Sequence, residues 1–417
     1  MQINKKRILW FSVTPSMFAP STVSHNGGGW VASLEGIVRT LPDVELGIAF
    51  ELGGCNFKYE QTGVCYYPLS CLRPSRVARL FGKCNIEERK EQYLRVIDDF
   101  KPDLIQIFGS ENDFGIICSL TDIPVIIHMQ GCLPPYHNAL FPVGMNSKDF
   151  LFCGGLSLCR RWMGLRSEST FRKQAEREIT TIQSCRYFLG RTEWDKALVK
   201  LFNPQACYFH SEEALRPSFF QSDKLWGMFD LKSEKVRIVS VISNPWYKGL
   251  DLILKTAELL RRFAPFRVEW NVYGVNDIVP FFERKYGIRA SEVGVYPMGS
   301  VSQDVLVEAL CHAHCFVAPS YIDNSPNSVC EAQLLGLPVL ATNVGGVSSL
   351  VKDGETGILV PANDPYILAS HIVALQADPG RARSLGHAAR EQALARHNPE
   401  SIGQTLLSVY KKVVRHA

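Results

Sequence analysis

No stretch of this sequence approaches the ~20 consecutive apolar residues that a membrane-spanning helix needs, so no such helix is expected. An excess of one charge is missing too. The 45 Lys and Arg face 41 Asp and Glu, and a net +4 over 417 residues gives no electrostatic case for nucleic acid. Paired metal-ligand spacings are absent. The cluster Cys311-His312-Ala313-His314-Cys315 has no second cluster to match it and falls where a helix hands over to a strand, so no zinc site is expected. No Asp-x-Asp pair offers a divalent-cation clamp. The 13 cysteines are odd in number and irregular in spacing. The basic start, with its apolar run broken at Thr14-Pro15, reads as a first strand and not as a signal peptide. Reduced cytosolic thiols therefore fit better than a disulfide framework.

The composition, 46% hydrophobic and 21% charged, is that of an ordinary globular protein, and the length favours two domains over one core. Short apolar strands over residues 6–13, 104–108, 124–128 and 186–189 alternate with helical patterns over 30–40, 86–100 and 115–120. The same alternation resumes with strands at 236–242, 268–273, 295–298 and 315–318, and with helices from Leu250 and over 303–312. Such alternation predicts an α/β protein with parallel sheets. A stretch of mixed polarity between Phe219 and Lys235 marks the boundary, giving domains 1–225 and 226–398 and a last amphipathic segment from Pro399.

Several features point to an anion. Gly27-Gly28-Gly29 follows the first strand and precedes a helix, where backbone can approach a phosphate because no Cβ intervenes. His128 ends a strand, and ligands of parallel sheets gather beyond the carboxyl ends of strands. Arg191, at a helix start, either reaches an anion or pairs with Glu193 or Asp195. Lys248 also opens a helix, against the dipole, which a bound anion would explain.

The strongest signal is the string from Pro319 to Gly346, PSYIDNSPNSVCEAQLLGLPVLATNVGG. Ser325 as N-cap and Pro326 at the first helical position predict a helix whose opening N–H groups, at Asn327 and Ser328, face an anion. Glu331 lies one turn deeper on the same face, and Asp323 sits just before the cap.

This string resembles the donor-site motif of glycosyltransferase family 4, a retaining family of the GT-B fold. That pattern is a Pro-Ser pair, Glu, seven residues, Glu-Ala and then Gly-x-Pro-Val. Here Pro319-Ser320, Asp323, Glu331-Ala332 and Gly336-Leu337-Pro338-Val339 fill those places. The resemblance implies two Rossmann-like domains facing across a cleft, with residues 399–417 crossing back onto the first. It implies a nucleotide-sugar donor, uridine being the default base. Lys248 and the N–H groups around Asn327 and Ser328 would hold the diphosphate, with Arg191 as a further cation and Asn324 among the donor-binding residues. Glu331 would bind the ribose, Asp323 and His128 the sugar ring. Gly28 and Gly29 would close over the phosphates, while Gly274, Ser300 and Val301 complete the donor pocket. The implied reaction is a retaining, metal-independent transfer to a saccharide or lipid-linked saccharide in surface-polysaccharide or capsule biosynthesis, with no further cofactor.

Two departures stand out. Asp323 replaces the family's first Glu, and Ser243 stands where the family has an Arg five residues before Lys248. They prompt one alternative, a non-catalytic binding partner of the same fold; another is a sugar-nucleotide 2-epimerase. The segment 150–177 mixes Phe150, Phe152, Trp162 and Leu165 with Arg160, Arg161, Arg166, Arg172, Lys173 and Arg177. A basic, aromatic segment of this kind suits an anionic membrane surface, and the expected location is cytoplasmic, at the inner face of the membrane. A lid over the cleft, with a solvated basic helix over 171–184, is the other reading.

Overall fold

The computed structural model describes residues 5–18, 29–52, 56–70, 86–149, 158–227 and 235–415, without the side chains of 158–167. Two sheets organise them. The first holds β1 (Lys6–Ser12), β2 (Val44–Glu51), β3 (Tyr59–Gln61), β4 (Val64–Leu69), β5 (Leu104–Phe108), β6 (Val125–His128), β7 (Tyr187–Gly190) and β8 (Cys207–His210), in the order β3-β4-β2-β1-β5-β6-β7-β8. All its pairings are parallel except β3 with β4. The second runs β11-β10-β9-β12-β13-β14, wholly parallel, from β9 (Lys235–Val241), β10 (Arg267–Tyr273), β11 (Val295–Gly299), β12 (Cys315–Ala318), β13 (Val339–Thr342) and β14 (Ile358–Val360). Runs such as Leu104–Phe108, buried at every position and apolar except at Gln106, are what a sheet covered on both faces requires.

The helices are α1 (Gly29–Val38), α2 (Ile86–Phe100), α3 (Leu133–Asn138), α4 (Leu158–Ser184), α5 (Glu193–Phe202), α6 (Pro217–Phe220) and α7 (Leu250–Phe263), then α8 (Val279–Tyr286), α9 (Gln303–Cys311), α10 (Asn327–Leu334), α11 (Pro365–Ala377), α12 (Pro379–Arg396) and α13 (Pro399–Arg415). The helix expected over 171–184 in fact starts at Leu158. No described helix is long and apolar enough to cross a membrane, and the described residues contain no cluster of metal-ligating side chains.

The last helix follows the second sheet in sequence but packs on the first. Ile402, Leu406, Val409, Tyr410 and Val413 of α13 are buried in one core with Ile8, Trp10 and Leu34. A buried hydrogen-bond chain runs through this core. Trp10 Nε1 donates to Tyr410 Oη (3.4 Å), Tyr410 Oη–H to Gln106 Oε1 (2.5 Å), and Gln106 Nε2 to His128 Nδ1 (3.1 Å). Leu406 is fully buried, so Leu406→Ala should lower unfolding free energy by about 2–5 kcal/mol, read from urea denaturation. A change below about 0.5 kcal/mol, the size of an ordinary surface substitution, would show that α13 is not docked there.

Candidate active site

In the second sheet the chain runs outward from β9 to β10 and β11, then returns to place β12 on the other side of β9. Strand order therefore reverses between β9 and β12, and the loops after these two strands diverge to leave a crevice. A cavity of about 390 Å³ occupies that position, lined by Ile242 and Ser243 after β9, Gly274 after β10, Ser300 and Val301 after β11, and Pro319, Ser320 and Asp323 after β12. Gly29 and Trp30, the first turn of α1, face the same cavity from the first sheet. Gly274 is required at its position. Its φ is +86°, and a Cβ there would lie 2.4 Å from the Ile242 carbonyl oxygen.

Among the described residues, four charged side chains line the cavity, and they form two pairs. Lys248 Nζ lies 2.7 Å from Asp323 Oδ2, which also accepts from Ser320 Oγ at 3.3 Å. Burial works against the Lys248 charge, but the Asp323 carboxylate outweighs it and raises the ammonium above its ordinary pKa. Gly249 fixes the Lys248 loop. With φ +82° it brings its backbone so close to Pro319 that a Cβ would sit 2.1 Å from the Pro319 oxygen, and Tyr321 N donates to Tyr247 O at 2.7 Å. The second pair is a fork. Arg216 Nε and Nη2 donate to Glu331 Oε1 and Oε2 at 2.6 and 2.7 Å. Burial pushes the Glu331 carboxyl up, opposed by Arg216.

Helix α10 begins one residue later than expected. Pro326, not Ser325, is its N-cap, and no side chain caps it. Asn327 and Ser328 form its first turn at the cavity wall, so they present N–H groups that have no acceptor within the helix.

The cavity thus gathers Gly29, Lys248, Gly274, Ser300, Val301, Asp323, Asn327, Ser328 and Glu331. Gly28 lies outside the described residues. Three expected members lie elsewhere. His128 is fully buried, stacked on Phe108 and edge-to-face with Trp30 at 4.9 Å, and does not line the cavity. Tyr410 donates to the Gln106 oxygen, so the Gln106 amide nitrogen must face His128 Nδ1 and the ring proton belongs on Nε2. Burial, with Arg191 nearby, lowers its pKa and keeps the ring neutral.

Arg191 is also buried, but away from the cavity wall. Its Nε lies 3.3 Å from Glu213 Oε2, and its guanidinium lies 5.1 Å from the Trp30 ring centroid. Neither Glu193 nor Asp195 takes its charged group, although its backbone N–H donates to Asp195. Asn324 is turned toward the first sheet. Its Oδ1 accepts from Thr192 Oγ1 (2.6 Å), and its Nδ2 donates to Gln130 O (3.2 Å) and Asp195 Oδ2 (3.1 Å). It joins the two halves of the molecule and does not face the cavity. Conversely, Arg216 gave no signal in the sequence. It lies in an irregular connection, and its partner Glu331 is 115 residues further on. Within 150–177, one basic residue has a fixed internal role. Arg177 Nη2 donates to Glu111 O at 2.7 Å.

Residues 234–378 match the family described as Glycosyl transferases group 1. The D-inositol 3-phosphate glycosyltransferase of Kribbella flavida is 32% identical over 174 residues, 42% of this chain and 35% of that protein. The alpha-maltose-1-phosphate synthase of Mycolicibacterium smegmatis is 38% identical over 112 residues, 25% of this chain and 29% of that protein. These two alignments thus span only about a third of each relative. Among solved structures, sucrose-phosphate synthase from Thermosynechococcus elongatus superposes with a TM-score of 0.73 at 16% identity, over 99% of this chain and 100% of that one. Anabaena HepE, solved with UDP and glucose, gives 0.66 at 13% identity, over 98% and 100%. Identities this low speak for the fold alone. The chain has the GT-B fold, and its residues 234–378 are similar to the glycosyl transferases group 1 family.

Proposed function

We propose that this protein is a retaining glycosyltransferase that moves a sugar from a nucleoside-diphosphate donor to a saccharide or lipid-linked saccharide. One observation carries the reading: a single cavity at the strand-order reversal is walled by Lys248, the first turn of α10, Glu331 and Asp323. A nucleotide sugar has complementary parts. Its diphosphate suits the Lys248 ammonium and the α10 N–H groups, and the hydroxyls of its ribose and sugar suit the two carboxylates. UDP is the default nucleotide, in keeping with the UDP in the Anabaena structure.

In this scheme the bond from the sugar's anomeric carbon to the diphosphate oxygen breaks, its electron pair going to that oxygen. The acceptor hydroxyl bonds to the anomeric carbon on the same face, and its proton passes to the departing phosphate. Charge on the leaving group is met by fixed protein donors, so neither a divalent cation nor a further cofactor has a part in it. The proposed setting is surface-polysaccharide synthesis at the inner membrane face, with contact through 150–177.

The test is incubation with UDP-, GDP- and ADP-linked sugars, with and without EDTA, against saccharide and polyprenyl-linked saccharide acceptors. The reading expects one nucleotide series to give product with the donor's anomeric configuration, read from the anomeric proton coupling by NMR, at a rate unchanged by EDTA. An inverted product, or activity abolished by EDTA, would refute the corresponding part of it.

A further inference from the structure

Among the described residues the charges of the cavity wall balance to zero, with Arg216 and Lys248 against Asp323 and Glu331. Any diphosphate entering it brings about two negative charges that must be met while its bond to the sugar breaks. Among the described residues on the second sheet's side, only Lys248 brings positive charge to the cavity, since Ser243 beside it is neutral. The other cation comes from outside that sheet, from the connection between β8 and β9.

We propose that Arg216 is a second leaving-group cation, which receives the donor's diphosphate while still gripping Glu331. The proposal rests on the donor reading above and adds to it a residue and a role. The donor inventory supports it. A guanidinium has five N–H bonds, and the fork to Glu331 uses one from Nε and one from Nη2, leaving three to donate. The carboxylate likewise keeps lone pairs on both oxygens for hydroxyls. Arg216 is moreover held in place. Its guanidinium lies 4.6 Å from the Phe219 ring centroid, and its side chain is 16% exposed, so it is oriented before any ligand arrives. Glu331 is one helical turn beyond Asn327, which puts the fork beside the turn whose N–H groups face the same cavity.

A merely structural Arg216, serving only to orient Glu331, would affect ribose recognition and nothing else. The experiment separates the two roles. Whichever of UDP, GDP or ADP the wild-type protein binds is titrated calorimetrically against wild type, Arg216→Gln and Arg216→Lys. The matching nucleoside is titrated in parallel by ligand-observed NMR, with melting temperature as the check on folding. The proposal expects Arg216→Gln to weaken the nucleoside diphosphate roughly 10- to 100-fold, as loss of a charged hydrogen bond does, and the nucleoside less than about twofold. Arg216→Lys, which keeps the charge but not the fork, should fall between. Equal losses for nucleoside and diphosphate, or no loss for either, would overturn the proposal while leaving the donor reading intact. A folded wild type that binds none of the three nucleotides would overturn the donor reading itself, and this proposal with it.

Discussion

Replacing Lys248 with Ala is expected to lower kcat/KM by about 10²–10³, the loss of about 2.7–4 kcal/mol of transition-state stabilisation typical of removing a preorganised donor from developing oxyanion charge. Lys248 lines the cavity on a loop fixed by Gly249 against Pro319, so its ammonium is aimed before the donor arrives. Its partner is Asp323 at 2.7 Å, an arrangement that a diphosphate can enter by drawing the ammonium toward itself. The substitution also leaves the Asp323 side chain, 10% exposed, with only Ser320 as a hydrogen-bond donor among the described residues. A melting temperature measured alongside the kinetics separates that cost from the catalytic one. An Ala variant within threefold of wild type would remove Lys248 from the mechanism.

Asp323→Ala should act differently. A carboxylate that fixes the sugar ring contributes by positioning, and misplacement of a reacting group by about 1 Å costs on the order of 10² in rate. Turnover should therefore fall about 100-fold, whereas affinity for the nucleoside diphosphate should hold or tighten, because Lys248 loses the partner that competes for it. Steady-state kinetics with calorimetric titration of the nucleotide gives both numbers on one preparation. Loss of nucleotide binding in Asp323→Ala would assign the carboxylate to the wrong part of the donor.

The two sheets were legible because their strands are short, apolar and separated by helical patterns. The run Leu104–Phe108 and the amphipathic α2 over Ile86–Phe100 fall where periodicity put them. The second-sheet side of the cavity was legible for a different reason. There a local string, Pro319 to Gly346, carries strand end, loop and helix start in one contiguous piece. Local spacing does not encode contacts that cross the molecule. Asn324 sits inside that string, yet its side chain is claimed by Thr192, Gln130 and Asp195 from the first half of the chain. His128 does end its strand as expected. The cover that Trp30 and Phe108 give it depends on how α1 folds over β5 and β6, which no local spacing encodes. Arg191 offered a choice between an anion and its acidic neighbours, and took a third partner, Glu213. Arg216 was invisible for the same reason: its meaning comes from Glu331, a residue brought beside it only by the packing of α6 against α10.

If the cavity between Lys248, Asp323 and Glu331 is a nucleotide-sugar site, a thermal-shift panel of donors will reveal it. UDP-, GDP- and ADP-linked sugars would be compared with and without EDTA, on wild type and Glu331→Ala. A ligand that binds only the folded state raises its melting temperature by mass action, by about 2.7 kcal/mol of stability at 100 times Kd. A rise is expected with one nucleotide series, unchanged by EDTA and lost in Glu331→Ala. A wild-type melting temperature that none of these donors moves would contradict it.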